Sequence, residues 1–145
     1  MAKVGRPRNL DSPEQLKELF DKYKSEVKAN PRIKSVFGGK EFEERAEPLE
    51  RPLTLEGFEL FCYDEVGMVE QYFKNVDKRY EEFIPICSRI RKAIRQDQIE
   101  GGMVGQFNPS ITQRLNSLTE KTDVTSQGEK INEIKVTIVS GNQSN

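Results

Sequence analysis

Histidine is missing altogether from this 145-residue chain. With it go the usual general base near neutral pH, the Ser-His and Cys-His nucleophile pairs and most transition-metal sites. No GxxxxGK[ST] segment is present either, since Gly38-Gly39-Lys40 lacks the spacing that cradles nucleotide phosphates. Carboxylates are plentiful, but no Asp pair sits at a predicted strand end or beside a Lys in the way metal-dependent nuclease chemistry prefers. The sequence therefore predicts a protein that is not an enzyme and needs no cofactor or metal.

Other scarcities narrow the class further. Only 34% of residues are hydrophobic against 32% charged, and mean hydropathy is -0.73. One modest core is expected, supplemented by oligomerisation. Cys62 and Cys87 are the only cysteines and fall at apolar positions of predicted helices, which favours buried free thiols in a reducing compartment. No apolar run approaches the ~18 residues of a membrane span, and the N-terminus has no secretory h-region. A soluble intracellular protein without membrane partners is the expectation. The net charge of -1 does not announce a nucleic-acid binder, so any basic patch has to be local.

What the chain does have is organised around residues 51–74, RPLTLEGFELFCYDEVGMVEQYFK. Thr54 is a good N-cap, and Leu55, Phe58, Leu60 and Phe61 follow as an apolar face. Asp64 is placed to cap a second run carrying Val66, Val69, Tyr72 and Phe73, and Gly57 is small enough for close helix packing. Two short helices joined by a tight turn make a helix-turn-helix candidate, or an ordinary αα-hairpin.

Residues 1–10, MAKVGRPRNL, have little to bury and predict a disordered basic arm. Gly5-Arg6-Pro7 matches the core of an AT-hook, whose Arg lies in the narrow minor groove, although a solvated tail also accounts for so short a motif. Asp11-Ser12-Pro13-Glu14 then starts a helix that buries Leu16, Leu19, Phe20, Tyr23 and Val27 and stops at Asn30-Pro31. Its lysines, Lys17, Lys22, Lys24 and Lys28, read as a solvated face.

Between 33 and 46 the pattern fits a β-hairpin with Gly38-Gly39 as a two-residue turn. Glu41, Glu43, Glu44, Glu47 and Glu50 follow; without His or a ligand-spaced loop they read as a charged edge that resists aggregation. Pro48 and Pro52 form a stiff link. Tyr80, Phe83, Ile84, Cys87, Ile90 and Ile94 trace a long helix from about Glu82 to about Gly101, with Pro85 in its first turn. Arg89, Arg91, Lys92 and Arg95 crowd that helix, a patch suited to phosphates or to acids of a neighbouring subunit.

Gly101, Gly102 and Gly105 mark a turn or close contact. Asn108-Pro109 starts a short helix burying Ile111, Leu115 and Leu118. Residues 119–130 read as a linker and 131–140 as a β-strand, followed by a disordered tail at 141–145. A lone strand needs a partner, from the hairpin or from other subunits, where it closes a barrel.

Taken in order, the GRP arm, SPEQLKELFDKY, ANP, a Gly-centred hairpin, RPLTLEGFELF, YEEFIPICSRIRKAI and GGMVGQFNPSI resemble the small terminase subunits of tailed double-stranded DNA bacteriophages. The resemblance covers nearly the whole chain. It implies a mainly α protein with a helix-turn-helix domain over 11–77, a helical oligomerisation core over 78–118 and a terminal strand pairing between subunits. It also implies a non-catalytic ring of about eight to ten copies that binds viral double-stranded DNA and delivers it to the large terminase subunit, the ATPase and nuclease, in the cytoplasm of the infected host.

The second helix of the candidate motif is acidic, with Glu65 and Glu70 where base-reading helices present Arg, Asn or Gln. DNA contact is therefore expected at Lys3, Arg6, Arg8, Lys74, Lys78 and Arg79, with Arg89, Arg91, Lys92 and Arg95 as a second surface. The competing reading is a dimeric helix-turn-helix transcription regulator on a palindrome.

Overall fold

The structure is a computed structural model that describes residues 7–118, 125–126 and 129–130. Pro13–Ala29 form the first helix, α1. Ser12 caps it by accepting from the Gln15 amide at 3.3 Å, while Gln15 reaches back to accept from the Asp11 amide at 2.8 Å. The two bonds satisfy amide donors that a helix start otherwise leaves open. Leu16, Leu19, Phe20, Tyr23 and Val27 are all buried, as their spacing predicts.

The chain then leaves the body in a hairpin. β1 (Arg32–Gly38) pairs antiparallel with β2 (Glu43–Leu49), and all but Val36 of both strands is exposed. The expected two-residue Gly38-Gly39 turn is not formed. Such a turn would set Phe37 opposite Lys40; Phe37 instead faces Glu44, and residues 39–42 form the loop. Gly39 takes φ 90° there and Phe42 φ 52°. The longer loop allows a seven-pair ladder that runs back to Arg32↔Leu49, so Pro48 lies within β2 rather than in a linker.

Leu55–Glu65 form α2, capped by the Thr54 hydroxyl, which accepts from the Gly57 amide at 3.0 Å. Asp64 lies inside this helix instead of capping the next. The following helix, α3 (Glu70–Lys74), has five residues and no side-chain cap. That is shorter than the apolar spacing from Val66 to Phe73 suggests. Leu60, expected on the packed face, is exposed.

Two 3₁₀ turns, Val76–Lys78 and Glu81–Phe83, lead into the twenty-residue α4 (Ile84–Met103) with Pro85 in its first turn. Pro109–Leu115 form α5, capped by Asn108. Gly101 gives a surface on which the Phe107 ring rests, and Gly102 meets Thr112. β3 (Thr125–Ser126) and β4 (Glu129–Lys130) pair antiparallel. The strand expected at 131–140 and the tail at 141–145 lie outside the described residues, as does most of the linker.

One apolar cluster joins α1 through α4. Phe58, Tyr72, Phe83, Leu16 and Ile90 are fully enclosed in it, and Cys62 and Cys87 sit there as free thiols. Phe58 stands edge-on to Phe20 and Phe73, with centroids 5.2 and 6.2 Å apart, an arrangement favoured by the ring quadrupoles. The buried faces of α3 and of α4 belong to this same core, so α4 is as much a wall of the body as α2. Leu10 is also fully buried, its amide donating to the Tyr72 hydroxyl at 3.0 Å. The arm expected to be disordered through residue 10 is thus anchored at that end: burying a leucine side chain is worth about 1.5–3 kcal/mol.

The expected burial in α5 is inverted. Ile111, Leu115 and Leu118 are 57%, 67% and 40% exposed, whereas Thr112 and Asn116 face inward. Asn116 donates to the Gln98 side chain at 3.0 Å, and Gln98 in turn donates to the Leu53 carbonyl at 2.7 Å. These polar bonds and the Gly102–Thr112 contact select which face docks.

Candidate nucleic-acid interface

The cations expected to meet DNA do not form one surface. Arg8, Lys78 and Arg79 meet at one corner, where α3 passes into α4. The Arg8 guanidinium pairs with Glu82, donates to the Arg79 carbonyl at 2.6 Å and lies over the Tyr80 ring, 5.5 Å from its centroid. Asn9 continues the seam by donating to the Met68 carbonyl at 2.7 Å. The root of the basic arm is therefore fixed against the segment that presents Lys78 and Arg79, both exposed. Lys3 and Arg6 lie outside the described residues.

The backbone of this corner is unusual. Asn75, Asp77 and Lys78 all take left-handed conformations, with φ of 45°, 55° and 54°. Asn tolerates this region and locks the turn by accepting from the Tyr80 amide at 2.9 Å. Lysine has no such tolerance. At a lysine the left-handed conformation costs about 1–3 kcal/mol. The sequence signal that could have found this corner is Asn75 and Asp77, two left-handed formers, between buried Phe73 and Tyr80.

Lys74 and Arg91 are already occupied. Lys74 pairs with Glu70 at 2.5 Å, and that hydrogen bond raises its pKa. Arg91 donates to the Phe73 carbonyl at 2.8 Å, closing the end of α3, and lies over the Phe73 ring.

Arg89 and Lys92 line a cleft of about 300 Å³ between α1 and α4. Lys17 and Lys24, read from sequence as a solvated face, complete it. Seven positions apart, these two lysines share one face of α1, which was the available signal. Asp21 lies between them at 3.2 Å from each ammonium; its pKa is lowered chiefly by the hydrogen bond from Lys24. Arg95 is exposed on α4 and does not line this cleft.

The presumed recognition surface is acidic. A groove of about 340 Å³ between α2 and α3 is lined by Leu60, Tyr63 and Met68 together with Glu56, Glu59 and Glu70. Burial raises the pKa of Glu59, with help from the charges of Glu70 and Glu56. Such a surface repels phosphates, and a five-residue α3 is too short to lie along a major groove.

No curated protein matches the chain. The family model described as DNA-packaging protein gp3 matches residues 5–124, from the basic arm through α5 and into the segment beyond it. That match spans most of the 145 residues, and it covers the anchored arm, the hairpin and the whole helical body together. The chain belongs to the DNA-packaging protein gp3 family, and so to the phage DNA-packaging, small-terminase-like proteins.

Proposed function

We propose that the protein is the non-catalytic DNA-binding component of a phage packaging machine. It assembles into a homo-oligomeric ring in the cytoplasm of the infected host, holds viral duplex DNA and hands it to the large terminase subunit, which supplies the ATPase and nuclease. Family membership supports the packaging role.

The observation that carries the DNA contact is the corner built around Arg8. Its bonds to Glu82 and the Arg79 carbonyl fix residue 8, from which the segment carrying Lys3 and Arg6 departs, beside exposed Lys78 and Arg79. A basic segment rooted next to fixed cations suits a phosphate backbone and makes no demand on base sequence. The acidic α2–α3 groove supports a helix pair that does not read bases.

Assembly is supported by apolar surface that the described residues leave exposed. Met103, Val104, Ile111 and Leu115 are 80%, 72%, 57% and 67% exposed around the α4–α5 corner. Large exposed apolar side chains gathered on neighbouring elements favour association.

Solution mass at native ionic strength, measured alone and with duplex DNA, tests the reading. A closed oligomer of more than two copies that binds DNA with steep salt dependence is expected. A dimer bound to a palindrome would instead establish a transcription regulator.

A further inference from the structure

The β1–β2 hairpin stands outside the core, and among the described residues nothing covers it. Ile33, Phe37 and Phe42 are 62%, 66% and 82% exposed. In the observed register Ile33 and Phe37 share one face with Ala46 and Pro48, since Ile33 is paired with Pro48 and Ser35 with Ala46. A two-stranded hairpin is marginal in water without a surface to cover such a face.

Its outer end is also acidic. Glu41, Glu43 and Glu44 outnumber Lys40 there, and Glu44 lies directly across from Phe37.

The α1–α4 cleft has the complementary character. Lys17, Lys24, Arg89 and Lys92 surround half-buried Ile86 and Ala93, and Asp21 is the single acid among its described lining residues. In its own chain the hairpin remains exposed from base to loop, so the hairpin does not fill this cleft in cis. A seven-residue strand reaches about 23 Å from the body, enough to cross to a neighbour.

We propose that the hairpin of each copy docks in the α1–α4 cleft of the next. Phe37 and Phe42 cover the apolar floor, while Glu44, on the same face as Phe37, and Glu41 in the loop meet the cations. This rests on the oligomeric reading above and gives it an interface. The contact joins two different surfaces, so it repeats head to tail around a ring, whereas a twofold dimer would need self-complementary patches. It also takes Arg89 and Lys92 out of the DNA-binding set and leaves that role to the arm and its corner.

Charge reversal tests the pairing in the full-length protein, because all four positions used are exposed. Glu41→Lys/Glu44→Lys and, separately, Arg89→Glu/Lys92→Glu are each expected to weaken self-association at least tenfold in sedimentation at native salt. Far-UV circular dichroism should stay unchanged. Combining all four substitutions in one chain should restore assembly, since the charges again match.

A hairpin-reversed protein that assembles at the wild-type mass and concentration would overturn the interface while leaving the oligomer standing. So would a cleft-reversed protein that assembles normally but no longer binds duplex DNA, because the cleft would then be a nucleic-acid site. A wild-type chain that stays monomeric at every concentration would overturn the oligomeric reading itself.

Discussion

Lys28 and Asp97 meet at 2.6 Å, joining the last turn of α1 to the middle of α4 beneath the hairpin. The same ammonium donates to Glu50 at 2.8 Å and to the Arg51 carbonyl at 3.0 Å. The second carboxylate oxygen of Asp97 accepts from the Leu53 amide at 2.8 Å. Arg51 reaches across to the Asn30 carbonyl at 3.4 Å. The β2 foot of the hairpin is thereby tied to one pair of charges, and Arg51 links it to the β1 foot. An otherwise exposed two-stranded element is given a defined direction, as the docking proposed above requires.

Lys28→Met should loosen this base. It keeps most of the aliphatic stem but leaves Asp97, whose side chain is 19% exposed, without its cationic partner. Leaving a partly buried acceptor unpaired costs about 1–3 kcal/mol. Urea unfolding should show a loss of that size, and amide exchange in 32–49 should speed up more than in α2. An unchanged midpoint would mean that the ion pair is no better than a solvated surface pair.

Gly101 and Gly57, like Gly102 against Thr112, are glycines where an added methyl group would come closer than 3.0 Å to a neighbouring side chain. At Gly101 it would enter the Phe107 ring, and at Gly57 it would lie 2.5 Å from the Tyr23 hydroxyl and 2.8 Å from the Thr54 hydroxyl. That Tyr23 hydroxyl donates to the Thr54 carbonyl and accepts from the Thr54 amide, both at 3.1 Å, so it cannot swing away freely. Both Gly→Ala changes raise helix propensity, yet overpacking costs about 1–3 kcal/mol. Each variant should be destabilised in thermal unfolding. Gly105→Ala is the useful contrast, since its surroundings are empty and only its φ of 79° opposes the change.

Local agreement decides which parts of the fold are legible in a single sequence. α1 is legible because cap, Pro, apolar stripe and Asn-Pro stop all agree. The long helix is legible for similar reasons. α5 is not, because periodicity groups Ile111 with Leu115 but says nothing about which face docks. That choice is made by Gly102 against Thr112 and by the Asn116–Gln98 bond, both contacts between elements. The hairpin exists where alternation places it, but its loop depends on ladder length, which Gly38-Gly39 alone does not encode.

At the candidate DNA site, charge was legible and pairing was not. Ten cations stood out in the chain, yet only the folded structure shows that Lys74 and Arg91 are spoken for. Likewise it reveals that Lys17 and Lys24 belong with Arg89 and Lys92.

Alkaline pH should destabilise the fold through its thiols. Burial pushes the Cys62 thiol up to about 12, with Glu59 and Glu65 adding to the effect, and burial pushes Cys87 up to about 11 against the charge of Arg91. Unfolded thiols ionise near 9.0. Between that pH and the folded values, unfolding releases protons, so stability falls by up to about 1.4 kcal/mol per pH unit for each thiol.

Lys28 adds to this at higher pH. Partial burial opposes its charge, but hydrogen bonds to Asp97 and Glu50 prevail and raise its pKa. Its contribution is full below the unfolded lysine value near 10.5 and is lost as pH rises through the folded value. Urea midpoints should therefore drop between pH 9 and 10.5 in the wild type and stay flatter in Cys62→Ala/Cys87→Ala, whose baseline stability is lower. A thiol reagent at pH 8 should label neither cysteine until the protein unfolds.

The anchored arm makes a sharper prediction for DNA. Removing residues 1–6, or changing Lys78 and Arg79 to Gln, should lower duplex affinity and reduce the slope of log affinity against log salt by about 0.9 for each phosphate no longer neutralised. Lys74→Gln should leave that slope unchanged, because its ammonium is held by Glu70. Arg8→Gln separates position from charge. Arg8 is engaged by Glu82, the Arg79 carbonyl and the Tyr80 ring, so its own charge serves to fix the root of the arm. Its replacement should weaken binding by releasing that root, while reducing the salt slope less than replacement of Lys78 and Arg79 does. Fluorescence anisotropy across a salt series distinguishes these cases. Equal slopes for wild type, the truncated chain and the Lys78/Arg79 variant would remove the corner from the DNA-binding surface.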